Sequence, residues 1–230
     1  MIGIIGAMDV ECECLFAKLE NKTGGAFGTA VIFTGKINGV NVAVARCSPG
    51  KVNAAMCTQA LIDKFGVTEV INTGVGCSLG DNVKILDVVV ADSAVQYDID
   101  ITALGEPRGL VNGLNEIEIK TDKNISQSLC DIAKCKGGAV HRGIIASGDT
   151  FISGDSLKSE IKNTFGAVSG DMEGGAVAQV ARANGVPFAV LRTVSDGGDE
   201  NAGIDYPQFK KIAAEKSTAI VLDYIKSNNA

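Results

Sequence analysis

Along the chain, short apolar runs alternate with longer stretches in which apolar residues recur every three or four positions. The runs at 2–5, 30–34, 40–46, 67–73, 85–91, 143–146, 167–169 and 187–194 have strand length and are rich in Val, Ile and Ala. The periodic stretches fall at roughly 10–20, 51–65, 124–136, 156–163, 172–184 and 206–226 and predict helices. In the second of these, Val52, Ala55, Met56 and Ala60 share one face; in the last, Phe209, Ile212, Ala213, Ile220 and Tyr224 do. Asn184-Gly185 followed by Pro187 stops a helix and starts a strand, and Asn38-Gly39 between two apolar runs predicts a hairpin. Strand and helix alternate with no Pro-rich linker, repeat or low-complexity tract. That order predicts one α/β domain over residues 1–230, a three-layer α/β/α sandwich around a largely buried sheet.

Composition narrows the choice of ligand. With 46% hydrophobic residues and no Trp, the core must be built from aliphatic side chains. The formal net charge is −6 and no basic run exceeds Lys210-Lys211, which argues against a nucleic-acid partner and for a small molecule. The first residues turn acidic without a basic, apolar leader, and no window reaches the ~18 apolar residues of a membrane span, so a cytoplasmic location and no membrane partner are expected. The seven cysteines have no disulfide-scaffold spacing and read as free thiols rather than metal ligands. With His141 the only histidine, a Ser-His-Asp triad has little support.

In open α/β sheets ligands bind beyond the carboxyl ends of strands, which directs attention to the residues after each run. They are Gly6-Ala7-Met8-Asp9-Val10-Glu11, Gly74 to Gly80, Ser147-Gly148-Asp149-Thr150-Phe151-Ile152, Gly170-Asp171-Met172-Glu173 and Ser195-Asp196-Gly197-Gly198-Asp199. Glycine with a carboxylate at most of these ends predicts an acid-lined pocket. Gly74-x-Gly76-x-x-x-Gly80 misses the dinucleotide spacing and opens no amphipathic helix, and no phosphate-loop motif is present. Neither a nucleotide cofactor nor a metal is called for.

Six segments in order then carry a resemblance: residues 2–8 (Ile-Gly-Ile-Ile-Gly-Ala-Met), Gly50-Lys51-Val52-Asn53-Ala54-Ala55, Ile71-Asn72-Thr73-Gly74, Ser147-Gly148-Asp149-x-Phe151-Ile152, Asp171-Met172-Glu173-Gly174 and Arg192-x-x-Ser195-Asp196. Together they resemble the 5′-methylthioadenosine/S-adenosylhomocysteine nucleosidases of the wider purine nucleoside phosphorylase superfamily, over essentially the whole chain. The resemblance implies a central mixed sheet, a purine nucleoside as small-molecule partner, and hydrolysis of its base–sugar bond. It implies Asp196 as general acid at purine N7, Glu11 as general base for water, and Glu173 as acceptor of the ribose hydroxyls. Met172 would pack on the sugar and Phe151 on the base, with the Ile152 backbone reading the base edge. Arg192 would help position the water. Met8, Ile101, Leu104 and Tyr206 would complete the substrate pocket, and a homodimer is implied whose neighbour helps close the 5′ tail. Taken singly, Glu11, Glu173 and Asp196 also read as a solvated loop acid, a helix-start charge and a turn residue.

The chain also departs from that pattern. Val75 follows Asn-Thr-Gly where the family commonly has Ser, removing a hydroxyl that would help hold the water. Leu104 stands where Phe is frequent, and Glu106 with Arg108 would favour a zwitterionic tail if they faced it. Two rival functions stay open on sequence: phosphorolysis, which Asp9 and Glu11 oppose by repelling a phosphate dianion, and nucleoside binding without catalysis, against which Glu11 and Asp196 speak.

Overall fold

The computed structural model describes residues 1–228. It is a mixed α/β structure in which ten strands form one sheet. Strands β1 (Ile2–Gly6), β2 (Glu20–Phe27), β3 (Ala30–Ile37), β4 (Val40–Arg46) and β5 (Glu69–Ser78) make the first part of the sheet, and β6 (Val88–Gln96), β7 (Ile119–Lys120), β8 (Val140–Ser147), β9 (Ala167–Asp171) and β10 (Phe188–Asp196) the second. β1 lies parallel between β4 and β5, and β3 and β2 extend that side antiparallel. β10 pairs with β5 in parallel and with β6 antiparallel, while β8 and β9 continue from β6. The end of β5 then meets β9 as well, through Cys77 opposite Gly170 and Ser78 opposite Ser169. This curl brings the carboxyl ends of β5, β9 and β10 to one place.

Helices cover both faces, as expected for a sheet buried on two sides. α2 (Lys51–Phe65) and α5 (Gly174–Ala183) pack on one face through Ala54, Cys57, Leu61, Val177 and Ala181. α1 (Asp9–Lys18), α3 (Lys123–Cys135) and α6 (Ala202–Ser227) pack on the other through Leu15, Leu129, Ile220 and Ile225. α4 (Asp155–Phe165) lies against β8 and β9 and buries Ile161. α2 ends where Gly66 turns left-handed at φ 63°, so that its N–H reaches the Ile62 carbonyl and that of Val67 the Leu61 carbonyl. Asn38 and Gly39, both at positive φ, make the hairpin turn between β3 and β4. No helix of the described residues is long and apolar enough to cross a membrane.

Several expected elements shift. β2 has no counterpart among the expected strands, β5 runs on through Gly74–Ser78, and β6 is displaced toward Gln96. α6 starts at Ala202 and runs through Pro207, which lacks the N–H that would reach the Gly203 carbonyl. The expected apolar face of α2 is rotated: Ala60 is buried and Ala55 packs against the core, but the other two members turn outward. Small residues Ala54 and Cys57 allow close approach to the sheet, whereas Val52 and Met56 are 69% and 53% exposed.

Candidate active site

All five segments beyond the apolar runs meet around one cleft. Eight of the eleven expected site residues line it: Met8, Glu11, Phe151, Ile152, Met172, Glu173, Asp196 and Tyr206. The wall also includes Val75, Cys77, Gly170 and Asp171.

Glu11 enters on the first turn of α1, directly beyond β1. Its Oε2 accepts the N–H groups of Ala7 (2.7 Å) and Met8 (2.9 Å), and Oε1 that of Val75 (2.9 Å). Burial raises its pKa, while these three donors and the Arg192 charge hold it down. Gly74 is required beside it, because a Cβ there would lie 2.3 Å from Oε1. Val75 therefore contributes its backbone N–H to Glu11 and is part of the cleft wall.

Asp196 ends β10 and is 2% exposed. The Ser195 hydroxyl donates to Oδ2 at 2.8 Å and the Gly198 N–H to Oδ1 at 3.0 Å. Burial outweighs both donors and pushes the carboxyl up to about 6. Ser195 Oγ is also 3.3 Å from the Gly76 carbonyl. It has an alternative acceptor whenever Oδ2 carries a proton.

Glu173 immediately precedes α5 and accepts the Gly50 N–H at 2.9 Å, joining the start of α2 to the cleft. Burial and the nearby Asp171 charge raise its pKa, against Arg192 at 3.8 Å. Asp171, given no role from sequence, is the centre of the floor. It pairs with Arg192 at 2.6 Å, accepts the Ser147 hydroxyl, and accepts the Gly174 N–H at the start of α5.

Three expected residues lie off the wall. Arg192 is buried beneath it, drawn there by Asp171 and by Asn72, whose side-chain and backbone oxygens both accept from the guanidinium. Its Nε–H has no acceptor among the described residues. Ile101 and Leu104 do not reach the cleft of their own chain: they belong to a surface turn after β6, and Leu104 is 81% exposed. Arg108 is engaged by Glu160 and the Tyr97 carbonyl of its own chain. Asp9 points outward and pairs with Arg46 at 3.0 Å. His141 pairs with Asp87 and is not on the cleft wall.

The arrangement suits cleavage of a bond to a basic leaving group. One buried carboxyl near neutrality can supply a proton, a second carboxylate held by three N–H groups can take one, and a third can accept hydroxyls.

This sheet and acid-lined cleft define the class: a model of the phosphorylase superfamily matches residues 1–226. At finer grain, a 5′-methylthioadenosine/S-adenosylhomocysteine nucleosidase of Haemophilus influenzae (strain PittEE) is 40% identical over 225 residues, covering 97% of this chain and 98% of that protein. The crystal structure of the nucleosidase of the same name from Neisseria meningitidis, in complex with methylthio-immucillin-A, superposes with a TM-score of 0.94 at 35% identity, covering 98% of each chain. A futalosine hydrolase of Helicobacter pylori superposes with a TM-score of 0.91 at 31% identity, covering 100% of this chain and 97% of that one. The chain belongs to the 5′-methylthioadenosine/S-adenosylhomocysteine nucleosidase family within the phosphorylase superfamily.

Proposed function

We propose that this chain hydrolyses the N-glycosidic bond of 5′-substituted adenosines, methylthioadenosine and S-adenosylhomocysteine, releasing adenine and the thioribose. The observation that carries this is the meeting of Glu11, Glu173 and Asp196 around one cleft, with Asp196 raised to about 6. Asp196 gives its proton to purine N7 as the electron pair of the C1′–N9 bond passes to the base. Ser195 turns toward the Gly76 carbonyl while Oδ2 is protonated and donates back to the carboxylate once the proton has left. Glu11 takes a proton from the water whose oxygen bonds to C1′. Glu173 accepts the ribose hydroxyls and Met172 packs on the sugar. Phe151 stacks on the base, and Ile152 reads its edge.

Water is favoured over phosphate as nucleophile by the electrostatics. The cleft wall carries Glu11, Asp171, Glu173 and Asp196, and the nearest guanidinium, Arg192, is committed to Asp171. A phosphate dianion needs free fixed positive charge. The test is adenine release from both nucleosides, followed by chromatography with and without phosphate. Phosphate-independent release of adenine and free thioribose is expected; a ribose-1-phosphate product would move the activity to phosphorolysis, and binding without turnover to a nucleoside sensor.

The whole chain acts as a single domain in this reading. The assembly in this reading is a homodimer, supported by the exposed Val52 and Met56 on α2 and by Leu104, and its expected location is the cytoplasm. Ile101 and Leu104, outside their own cleft, would close the 5′ tail of the neighbour.

A further inference from the structure

This inference rests on the nucleosidase reading above and concerns the atom attached to C5′ of the substrate. Asp196 and Ser195 take the base side of the cleft, Glu173 and Met172 the sugar hydroxyls, and Glu11 the anomeric carbon. Among the cleft residues not given to base, sugar or anomeric carbon, Met8, Pro49 and Tyr206 offer an apolar wall for the 5′ substituent, and the exposed Thr150 also lines the cleft. Within that apolar wall the Tyr206 hydroxyl is the polar group.

Tyr206 lies in the first turns of α6, half-buried, with its ring edge-on to Phe151 at 5.4 Å between centroids and 73° between planes. Its hydroxyl donates to the Met8 sulfur at 3.1 Å. A thioether is a weak acceptor, so the hydroxyl is docked on a partner that it gives up at little cost. Burial and the charges of Glu11, Asp196 and Glu173 raise the phenol pKa, which keeps its proton in place as a donor through neutral pH.

We propose that the Tyr206 hydroxyl is the specificity determinant at C5′ and widens the substrate class from 5′-thio to 5′-oxygen nucleosides. With adenosine, the O–H···S contact to Met8 is exchanged for an O–H···O bond to the 5′-hydroxyl. With 5′-deoxyadenosine there is no acceptor and the hydroxyl stays on Met8. An all-carbon ring at this position would strand the 5′-hydroxyl against an apolar wall.

The experiment measures kcat/KM for adenosine, 5′-deoxyadenosine and methylthioadenosine, by adenine release, in the native protein and in Tyr206→Phe. Whatever the substitution does to absolute rates through closure of the cleft, the adenosine to 5′-deoxyadenosine ratio is expected to fall about three- to tenfold, the range of one net hydrogen bond. An unchanged or increased ratio overturns the proposal, and so does a native protein that cleaves methylthioadenosine but not adenosine. Failure of the native protein to release adenine from any of the three nucleosides instead overturns the nucleosidase reading on which it rests.

Discussion

Replacing Asp196 by Asn separates the chemistry of this site from its cost to the fold. The carboxyl is 2% exposed and its pKa is raised from 3.8 to about 6 by burial. Each pKa unit of difference between folded and unfolded states is worth roughly 1.4 kcal/mol, so the shift corresponds to about 3 kcal/mol. Because the folded-state value is the higher one, the stabilisation from this group is fully present below 3.8 and is lost as pH rises through about 6. The native protein therefore gives up about 3 kcal/mol at Asp196 between about pH 4 and pH 7, and Asp196→Asn does not. Asn keeps the local geometry: its Oδ1 accepts the Gly198 N–H, and its amide donates to Ser195, which turns to the Gly76 carbonyl. Adenine release should drop on the order of 10²–10⁴-fold with the proton donor gone. Urea unfolding at both ends of this pH range should show the variant gaining on the native protein as pH rises. Parallel stability profiles for the two proteins would refute the raised pKa, and with it the reason for naming Asp196 as the acid. The native enzyme should also lose activity on the alkaline side of about 6, as the carboxyl ionises.

What the sequence disclosed, and what it hid, follows from how locally each feature is encoded. β4 and α2 were expected at their observed bounds because an apolar run and a Gly-terminated periodic stretch are local signals. β2 carries no such signal: Glu20–Phe27 has no buried residue, since it pairs with β3 as an edge strand with both faces largely in water. The end of β5 was hidden for the opposite reason. Its Gly74-Val75-Gly76 segment resembles a loop, and glycine is needed there because Glu11 approaches the backbone. The principal carboxylates were legible through the glycines beside them and the family resemblance. The Asp171–Arg192 pair was not, because it joins two strands that are not sheet neighbours, and only the curl at β5 brings them together. Ile101 and Leu104 show the limit of transferring a pocket onto one chain, since neither forms part of that chain's own cleft.

Three further perturbations test the site. Glu11→Gln keeps one carbonyl acceptor for the surrounding N–H groups but removes the base; kcat for adenine release should fall on the order of 10²–10⁴-fold, and a loss under tenfold would take Glu11 out of the proton transfer. Val75→Ser places a hydroxyl on the cleft wall beside Glu11 without touching the Val75 N–H bond, and kcat should rise about three- to tenfold if that group helps hold the water; an equal or lower kcat would show that Val75 serves by packing. Asp171→Asn leaves the fully buried Arg192 without its nearest counter-charge, and removing one member of such a pair costs about 3–5 kcal/mol. Some of that cost is offset here, because Glu173 lies 3.8 Å from the same guanidinium and becomes its remaining anionic partner. The two effects give Asp171→Asn a distinctive signature: a large loss in urea stability together with a lowered Glu173 pKa, since the Asp171 charge that raises it is gone. A titration of Glu173 followed by NMR should show that downward move. A stability loss with no change at Glu173 would mean that Asp171 holds Arg192 and the start of α5 in place but does not set the charge that meets the sugar.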